Sequence, residues 1–420
     1  MLEIKFIREN PEIVKEGCQK KQVKINIDKL LEMDKKRREI LAAIEEIRAQ
    51  KNKASKEIVK MQQREKEKLI LEMKRLDKKE EELKSVFKKI DKEFQELMFQ
   101  IPNLPFEDVP VGKDENDNVV LREVGERPKF DFEPKDYLEL GENMDIIDVK
   151  RAAKVAGTRF GYLKREMVWL EFALVRFAFD TLTKEGFIPV LPPVMLKAEI
   201  AKGTGYFEAE DLNEAYFLPK DNLFLIGTAE QSLLAMHTNE VFKESELPKR
   251  YVGFSTCFRR EAGSWGKDTR GIFRVHQFDK VEMFSFCKPE KSRKELRFFL
   301  ETEEKLMKAL GIPYRVVQVC TGDLGRPAAE KFDIEAWFPS QKKYRETHST
   351  SNCTDFQARR LNIKYRNSKT NKLEFVHTVN GTAFSQRPIL AILENYQQKD
   401  GSIKIPEVLE KYLGFSLIKR

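Results

Sequence analysis

The chain has 420 residues, of which 41% are hydrophobic and 35% charged, and its formal net charge is +8. This length exceeds one ordinary domain and predicts at least two. No apolar run approaches the roughly 18 residues of a membrane-spanning helix, and residues 1–10 lack the apolar stretch of a signal peptide. The five scattered cysteines argue against a disulfide framework and a cysteine-rich zinc site, and a cytoplasmic location is the simplest expectation.

A long helical hairpin is predicted first along the chain, because residues 18–101 contain neither glycine nor proline. Two apolar ladders there step by three and four residues, the spacing of a coiled-coil seam. The polar segment Gln62–Lys68 separates them and predicts the turn between two antiparallel helices of about 33 residues each. The first ladder is Leu30, Met33, Arg37, Ile40, Ile44, Ile47, Lys51, Ala54, Ile58 and Met61, and the second is Leu69, Met73, Leu76, Glu80, Leu83, Phe87, Ile90, Phe94, Leu97 and Ile101.

The charge of this arm leaves its role open. Residues 29–100 carry 21 lysines and arginines against 16 acidic residues, an excess of five. A solvated coiled coil, a dimerisation rod and a lever that touches a nucleic-acid backbone all fit that balance. The arm by itself therefore does not predict a partner.

The boundary after the arm is predicted by prolines and turn residues. Pro102 and Pro105 end the helix, and the polar segment Val111–Asn118 follows. We therefore expect an N-terminal domain at 1–105 with an arm at about 29–101, a linker at 106–130 and a second domain at 131–420.

The second domain is predicted to be α+β, with an antiparallel β-sheet flanked by helices. It has neither a Walker loop nor a Gly-x-Gly-x-x-Gly turn, so a nucleotide would need another kind of site. Helices are predicted at Met167–Thr183, Glu290–Leu310 and Leu390–Gln397. Strands are predicted at Phe187–Leu191, Tyr216–Leu218, Leu223–Ile226, Tyr251–Phe258, Ile272–Phe278, Val281–Phe286, Arg315–Val319 and Lys331–Phe338.

One segment of this domain carries a distinctive charge pattern, Phe258-Arg259-Arg260-Glu261. Arg259 and Glu261 stand two apart, so on a strand they would share a face. The arginine could grip a phosphate while the glutamate accepts from an exocyclic amine. A loop with Lys267 and Arg270 follows and leads back to Phe278. An ordinary charged hairpin with weak Arg–Glu pairs fits the same residues.

The charged segment is one of three segments that occur in a fixed order along the chain. Gly186–Pro193, Phe258–Phe278 and Asn380–Pro388 resemble motifs 1, 2 and 3 of the class II aminoacyl-tRNA synthetases. The intervening segments, together with the hairpin, resemble the seryl-tRNA synthetase family from residue 1 to nearly 420. These segments are Asp145–Ala153, Thr228–Glu230, Asp268–Gly271, His276–Glu282 and Ser351–Arg360.

The resemblance implies an ATP site and a magnesium site. Arg259 would hold the α-phosphate and the serine carboxylate, Glu261 the adenine amino group, and Arg387 the γ-phosphate and adenine. These three are the expected catalytic residues. Phe278 would stack on adenine and Arg274 would contact a phosphate. The remaining ATP-site residues would be Arg260, Glu346, Thr347, His348 and Ser349, with Glu346 and Ser349 also binding Mg²⁺.

The resemblance also implies a serine site, a tRNA and a dimer. L-serine would be bound by Thr228, Ala229, Glu230, Arg259, Glu282 and Thr382. Glu282 would receive the ammonium group, and both Glu282 and Thr382 the side-chain hydroxyl. The arm would hold the long variable arm of tRNA-Ser, and motif 1, with Pro193, would build a homodimer interface. No membrane partner is expected.

The chain departs from the family pattern in three places: Thr347-His348, Phe384-Ser385-Gln386 and Tyr137, where histidine is common. A non-catalytic tRNA-binding relative is the main alternative, but such a relative should have lost motif arginines or the metal carboxylate. Arg259, Glu261, Arg387 and Glu346 are all present. A ligase that charges a carrier protein would lack the arm, and a purely structural coiled coil would leave residues after 101 unexplained.

Overall fold

The computed structural model describes residues 1–58, 62–206, 213–262 and 270–419. The chain divides into two compact units. The arm unit comprises Leu2–Gln19 and Val23–Pro102, and the sheet unit comprises Met1, Lys20–Gln22 and Asn103–Arg420. No helix in these described ranges is long and apolar enough to cross a membrane.

Two long helices dominate the arm unit. Helices α1 (Ile4–Glu9) and α2 (Pro11–Lys20) precede α3 (Ile27–Glu57) and α4 (Gln63–Gln100). The side-chain oxygen of Asn26 accepts from the backbone of Lys29 and so caps the start of α3. Ion pairs between the early part of α3 and the late part of α4, and between the late part of α3 and the middle of α4, show that the two helices run antiparallel. The predicted hairpin is therefore confirmed.

The polar members of the two ladders meet opposite charges inside the hairpin. Arg37 forms an ion pair with Asp91, and its guanidinium lies 5.0 Å from the ring centroid of Phe94. Lys51 lies 2.9 Å from the carboxylate of Glu80, whose side chain is buried. Charged residues in a seam are tolerated when each meets an opposite charge. These pairs explain why the apolar spacing is interrupted where it is.

The predicted turn of the hairpin was placed too late in the chain. Gln62–Lys68 was expected to separate the helices, but α4 already begins at Gln63. Glutamine, arginine, glutamate and lysine are good helix formers even where no apolar face needs burial, and Gln63 donates to Glu67 one turn later. Polarity alone therefore did not mark the break.

The sheet unit contains the remaining helices and all the strands. Its helices are α5 (Tyr137–Asn143), α6 (Val149–Ala156), α7 (Glu166–Lys184), α8 (Ala198–Thr204), α9 (Ala229–Ala235), α10 (Ser292–Leu310), α11 (Phe356–Leu361), α12 (Gln386–Asn395) and α13 (Glu407–Leu413). Its strands are β1 (Val119–Val124), β2 (Ile147–Asp148), β3 (Tyr162–Leu163), β4 (Ile188–Val190), β5 (Met195–Lys197), β6 (Phe217–Leu218), β7 (Leu223–Leu225), β8 (Val241–Lys243), β9 (Lys249–Phe258), β10 (Gln277–Cys287), β11 (Tyr314–Gln318), β12 (Glu330–Phe338), β13 (Lys343–Thr354), β14 (Lys364–Arg366), β15 (Leu373–Phe375), β16 (His377–Ser385), β17 (Ile403–Lys404) and β18 (Leu417–Ile418).

An eight-stranded sheet organises this unit, in the order β1-β11-β12-β13-β16-β10-β9-β4. Every neighbouring pair is antiparallel except β4 with β9. Helices α7, α10 and α12 supply apolar side chains to the main core beside it, including Leu170, Phe299 and Leu390. The predicted α+β class with an antiparallel sheet flanked by helices is confirmed. Strand β1 lies within residues 106–130, the segment expected to be a linker.

The sheet differs from the prediction at the return of the motif 2 hairpin. A strand was expected at Ile272–Phe278, but β10 begins only at Gln277 and then continues to Cys287. The hydroxyl of Tyr137 accepts from the backbone nitrogens of Ile272 and Phe273, at 3.1 and 3.2 Å. These donors are thus satisfied without a strand partner. Strands β1, β13 and β16 were not predicted.

Candidate active site

A cavity of about 550 Å³ opens on one face of the central strands. The end of β9, the start of β10, the middle of β13, the end of β16 and the N-terminus of α9 surround it. Its polar and aromatic lining includes Tyr206, Thr228, Glu230, Arg259, Glu261, Arg274, Phe278, Lys280, Lys331, Glu346, Thr347, Ser349, Asn380, Thr382 and Arg387. Residues far apart in the chain thus meet because β13, β16, β10 and β9 are neighbours in the sheet.

Arg259 follows β9 and is held in place by its neighbours. Its Nε donates to the carbonyl of Gly227 at 3.1 Å, and its guanidinium lies 5.2 Å from the ring centroid of Phe278. Its backbone nitrogen donates to the carbonyl of His276 across the hairpin, at 2.9 Å. The side chain therefore points into the cavity without needing a ligand to orient it.

Glu261 was expected on the same strand face as Arg259, and that expectation is wrong in its geometry. Strand β9 ends at Phe258, and Glu261 has a φ of +53°, a left-handed conformation outside the extended range of strand backbone. Its carboxylate still reaches the cavity, where Arg274 lies 3.5 Å away. The Nε of Arg274 is buried and has no hydrogen-bond partner, so this guanidinium retains a donor for a ligand.

Arg387 lines the cavity together with two phenylalanines, Phe273 and Phe278. Arg387 is the second residue of α12, and its guanidinium lies 4.9 Å from the ring centroid of Phe273. Its Nη1 contacts both the carbonyl and the carboxylate of Glu346, at 3.1 and 3.2 Å. Phe273 and Phe278 both line the cavity, so a flat aromatic ligand would find rings and guanidinium planes here.

Glu346 and Ser349 lie on β13 and face the cavity. Partial burial opposes ionisation of Glu346, but the cations of Arg387 and Lys331 outweigh it and lower the pKa of this carboxyl to about 2. Asp333 lies opposite Ser349 in the β12–β13 ladder and accepts a hydrogen bond from it. Burial raises the pKa of Asp333, with Lys331 at 3.3 Å acting in the opposite direction.

Glu230 is the centre of a buried hydrogen-bond network at the opposite end of the cavity. Its carboxylate accepts from the Tyr206 hydroxyl at 2.9 Å, from Gln357 at 2.8 Å and from Asn380 at 3.0 Å. Burial raises its pKa, and these donors oppose that rise. Thr228 caps α9, and its hydroxyl accepts from the backbone of Glu230. The carboxylate therefore accepts from donors in three different segments.

Glu282 and Thr382 lie directly opposite each other on β10 and β16. Thr382 lines the cavity, whereas Glu282 is 1% exposed and forms an ion pair with Lys280. Lys280 also donates to the Thr228 hydroxyl at 3.3 Å. Its ammonium thus bridges two residues that were predicted to bind an amino acid. Burial raises the pKa of Glu282 to about 7, with Lys280 opposing and Glu230 adding to the rise.

Four predicted site residues lie outside the cavity lining, and Glu282 is one of them. Arg260 turns to the ring of Tyr216, 5.1 Å away, and Ala229 is buried in a core cluster behind α9. His348 is buried with its ring 5.8 Å from that of Phe384. Two of the departures from the family pattern therefore pack against each other. Lys267, Asp268 and Thr269 lie outside the described residues.

Sequence reasoning missed several residues that shape the cavity. Lys280 and Asn380 stood in quoted motifs but received no role, and Tyr206, Lys331 and Asp333 were not considered as site residues. Lys280 stands two residues before the predicted residue Glu282 on β10. Asp333 lies directly opposite the predicted residue Ser349 in the β12–β13 ladder. A spacing of two residues from a predicted site residue was the signal available for Lys280. The same spacing could have indicated Asp333 once strand β12 was assigned. Nothing in the local sequence marks Tyr206.

Two family profiles match the chain. The seryl-tRNA synthetase N-terminal domain matches residues 1–105, and the class II tRNA synthetase core domain for glycine, histidine, proline, serine and threonine matches residues 216–396. A serine–tRNA ligase of Dictyoglomus turgidum is 47% identical over 423 aligned positions, which cover 100% of this chain and 99% of the relative.

Solved structures agree with these matches. The seryl-tRNA synthetase of Pyrococcus horikoshii, complexed with ATP, superposes with a TM-score of 0.91 at 43% identity. The cytoplasmic serine–tRNA ligase of Naegleria fowleri, in complex with AMP, superposes with a TM-score of 0.86 at 34% identity. Each comparison covers 100% of this chain and 99% of the other.

Proposed function

The chain belongs to the seryl-tRNA synthetase family, and from this premise we propose how its residues activate L-serine with ATP and transfer it to tRNA-Ser. It is an aminoacyl-tRNA ligase of class II, and ATP is a substrate. One observation supports the assignment of roles: arginines, phenylalanines and acidic residues line a single cavity.

The aromatic and cationic wall is assigned to ATP. Adenine would stack on Phe278 and donate from its amino group to Glu261. Arg259 would hold the α-phosphate, where its Nε–Gly227 hydrogen bond has already fixed the guanidinium. The unpartnered Nε of Arg274 supports a phosphate contact for that residue. Arg387 would meet the terminal phosphate and adenine. Preorganised cations of this kind stabilise charge where it develops in the transition state.

The acidic end of the cavity is assigned to serine. The ammonium group would be received by Glu282 and Thr228, the two residues that Lys280 bridges in this structure. The hydroxyl would contact Thr382 and Glu282, which face each other across two strands. A site that presents buried polar partners to a hydroxyl discriminates strongly against an analogue lacking it, because those partners are then left unsatisfied. Alanine should therefore be rejected.

The proposed first step requires no general base. The serine carboxylate is already ionised and attacks the α-phosphorus in line, and pyrophosphate leaves. Positioning and charge neutralisation by Arg259 and Arg387 then lower the barrier. The four histidines fit this account, since none of them lines the described part of the cavity. In the second step a ribose hydroxyl of the terminal adenosine of tRNA attacks the seryl-adenylate, and AMP leaves.

Glu346 and Ser349 are assigned to magnesium because their donor set suits it. A carboxylate and a hydroxyl face the cavity, and hard cations prefer oxygen ligands. The hydrogen bond from Ser349 to Asp333 occupies the hydroxyl proton and leaves the oxygen lone pairs for a metal. The bound ion would neutralise phosphate charge.

The N-terminal domain, residues 1–105, is assigned to tRNA, with residues 131–420 as the catalytic domain and 106–130 between them. RNA helices are recognised mainly by shape and backbone, which suits a slightly basic rod that has a net excess of five positive charges over residues 29–100. The test is transfer of labelled serine to tRNA-Ser and to a tRNA without a long variable arm. Charging of the first alone is expected, and equal charging of both would contradict the assignment.

A homodimer is also proposed, in the cytoplasm. Four large apolar side chains of α7 and the β4 segment are exposed, a composition typical of an interface. They are Trp169 at 62%, Phe172 at 56%, Ile188 at 47% and Leu191 at 79% exposure. Trp169 and Phe172 stand three apart and so lie on one face of α7. This surface includes motif 1, which was expected to build the interface.

A further inference from the structure

A buried lysine far from the proposed chemistry holds one wall of the cavity. Lys21 lies in the short segment between α2 and α3 and is 6% exposed. Its ammonium donates to three backbone carbonyls of a single loop: Ala328 at 2.5 Å, Gly325 at 2.9 Å and Arg326 at 3.3 Å. An ammonium has three protons to donate, and the three carbonyls of this loop accept from it.

The loop that Lys21 holds is part of the cavity itself. Gly325, Pro327 and Ala328 line it. A second residue supports the same loop, because the Asn103 side chain donates to the Pro327 carbonyl at 2.9 Å and its backbone donates to Arg326 at 2.9 Å. Asn103 also donates to the Cys353 carbonyl at 3.0 Å. The side chains of Lys21 and Asn103 thus both donate to backbone carbonyls of this loop.

The loop adjoins the end of the cavity proposed to bind serine. A Cβ built on Gly205 would lie 3.3 Å from Cγ of Pro327, so the backbone at Gly205 rests against this proline. The next residue, Tyr206, donates its hydroxyl to Glu230 at 2.9 Å. A contiguous set of contacts therefore runs from the ammonium of Lys21 through Pro327 and Gly205 to the Tyr206–Glu230 hydrogen bond. None of these contacts involves a residue assigned to adenine or to a phosphate.

We propose that Lys21 is a positioning residue for serine binding, acting through the carbonyls of Gly325, Arg326 and Ala328. This inference rests on the proposed function of the cavity and deepens it. Removal of the ammonium takes the buried donor from the Ala328 carbonyl and one of two donors from the carbonyls of Gly325 and Arg326. The loop must then shift to bring the Ala328 carbonyl to water or another partner. A shift at Pro327 displaces Gly205 and Tyr206, which alters the serine pocket and spares the ATP wall.

The test is Lys21→Met in the full chain, which keeps side-chain length and removes the ammonium. In ATP–pyrophosphate exchange the KM for serine should rise about tenfold or more, while the KM for ATP changes by less than about twofold. Lys24→Met is the matched control, because Lys24 lies three residues further on and is exposed. It should leave both constants unchanged.

Asn103→Ala provides a second variant, since it removes the side-chain donor to the Pro327 carbonyl of the same loop. Its KM for serine should rise as well, and Lys21→Arg, which retains a cation, should recover part of the loss in Lys21→Met. Unchanged serine KM in Lys21→Met, or an equal rise in the KM values for serine and ATP, would overturn the proposal. Should Lys21→Met not fold, the serine and ATP constants of Asn103→Ala decide in the same way. Absence of serine-dependent exchange in the unmodified protein would instead contradict the proposed function.

Discussion

Arg259 shows how the backbone of this chain orients a reactive side chain. The carbonyl of Gly227 and the ring of Phe278 hold its guanidinium on two sides, while the carbonyl of His276 holds its backbone. The neighbouring Arg260 has the same chemistry, but it is directed to Tyr216 outside the cavity lining. Adjacent arginines thus differ in role because only one of them faces the site.

That contrast gives the first prediction. Arg259→Ala should lower serine-dependent ATP–pyrophosphate exchange by about 10²–10³-fold or more, because a preorganised donor to the α-phosphate is lost. Arg260→Ala is the matched control and should retain most of the activity. Circular dichroism should be unchanged in both. Near-normal exchange by Arg259→Ala would contradict its assigned role.

The buried carboxyl of Glu282 gives a prediction on pH. Its pKa is raised to about 7, chiefly by burial, so this carboxyl becomes protonated in the free enzyme as the pH falls through that value. A protonated carboxyl cannot pair with the serine ammonium, so kcat/KM for serine should fall about tenfold per unit below pH 7. The measurement is exchange against pH. Glu282→Gln should have low activity without this acid limb, and a flat wild-type profile from pH 5 to 8 would contradict the account.

Sequence motifs named residues that the fold brings to the cavity, whereas contacts that depend on strand register were not predicted. Phe278, Glu346 and Arg387 were named from motifs, and all three line the cavity. Lys280 was missed, because its ion pair with Glu282 and its bond to Thr228 join three segments that only the folded sheet brings together. His348 was included by its proximity in sequence, but alternation along β13 turns it to Phe384.

The arm shows how charge is accommodated within a helical element. Glu80 is buried in the hairpin and contacts Arg48 at 3.1 Å, Lys51 at 2.9 Å and Lys84 at 3.0 Å. Hydrogen bonds from Lys51, Lys84 and Arg48 lower the pKa of Glu80 from 4.5 to about 2. A carboxyl with a lowered pKa contributes stability above its unfolded value, and that contribution is lost as the pH falls towards the folded one.

Glu80→Gln tests this contribution of the carboxylate to the arm. The variant should unfold at a lower temperature than the wild type at neutral pH, as followed by helical circular dichroism. The difference should shrink as the pH falls from about 4.5 towards about 2, where the wild-type carboxyl is protonated as well. Glu81→Gln is the control, since its exposed pair with Lys84 should matter little. A difference that is constant with pH would argue against the ion-pair account.

Deletion of the arm separates its role from that of the cavity. With residues 30–100 replaced by a short glycine–serine linker, serine-dependent exchange should persist within about threefold, because the cavity lining comes from residues after 200. Charging of tRNA-Ser should fall by at least about a hundredfold, because the phosphate contacts of the arm are gone. Loss of both activities would show that the arm is needed for the catalytic unit to fold or act.

Elements were predictable where periodicity was strong and less so where polar residues form strands. The heptad ladders predicted α3 and α4, and β-branched or aromatic runs predicted β9, β11 and β12. Strands β13 and β16 are rich in threonine, serine and asparagine, yet they lie in the centre of the sheet with most residues buried. Their pairing comes from neighbours distant in the chain, which local propensity does not report.

At the scale of the whole molecule, the exposed apolar surface of α7 and the β4 segment predicts assembly. Trp169→Glu combined with Phe172→Glu should yield a particle near the chain mass of 49.2 kDa by light scattering, against twice that mass for the wild type. Val111→Glu, another exposed apolar position, is the control and should leave the mass unchanged. A wild-type protein that is already monomeric at micromolar concentration would contradict the dimer.

The central claim is that this cavity activates serine, and amino-acid-dependent ATP–pyrophosphate exchange tests it most directly. The assay would be run with magnesium and, separately, serine, threonine, alanine and cysteine. The account predicts strong exchange with serine and exchange about 10⁴-fold weaker with alanine, because alanine leaves the partners of the hydroxyl unsatisfied. Absence of exchange with all four from folded protein, or equal exchange with alanine and serine, would contradict it.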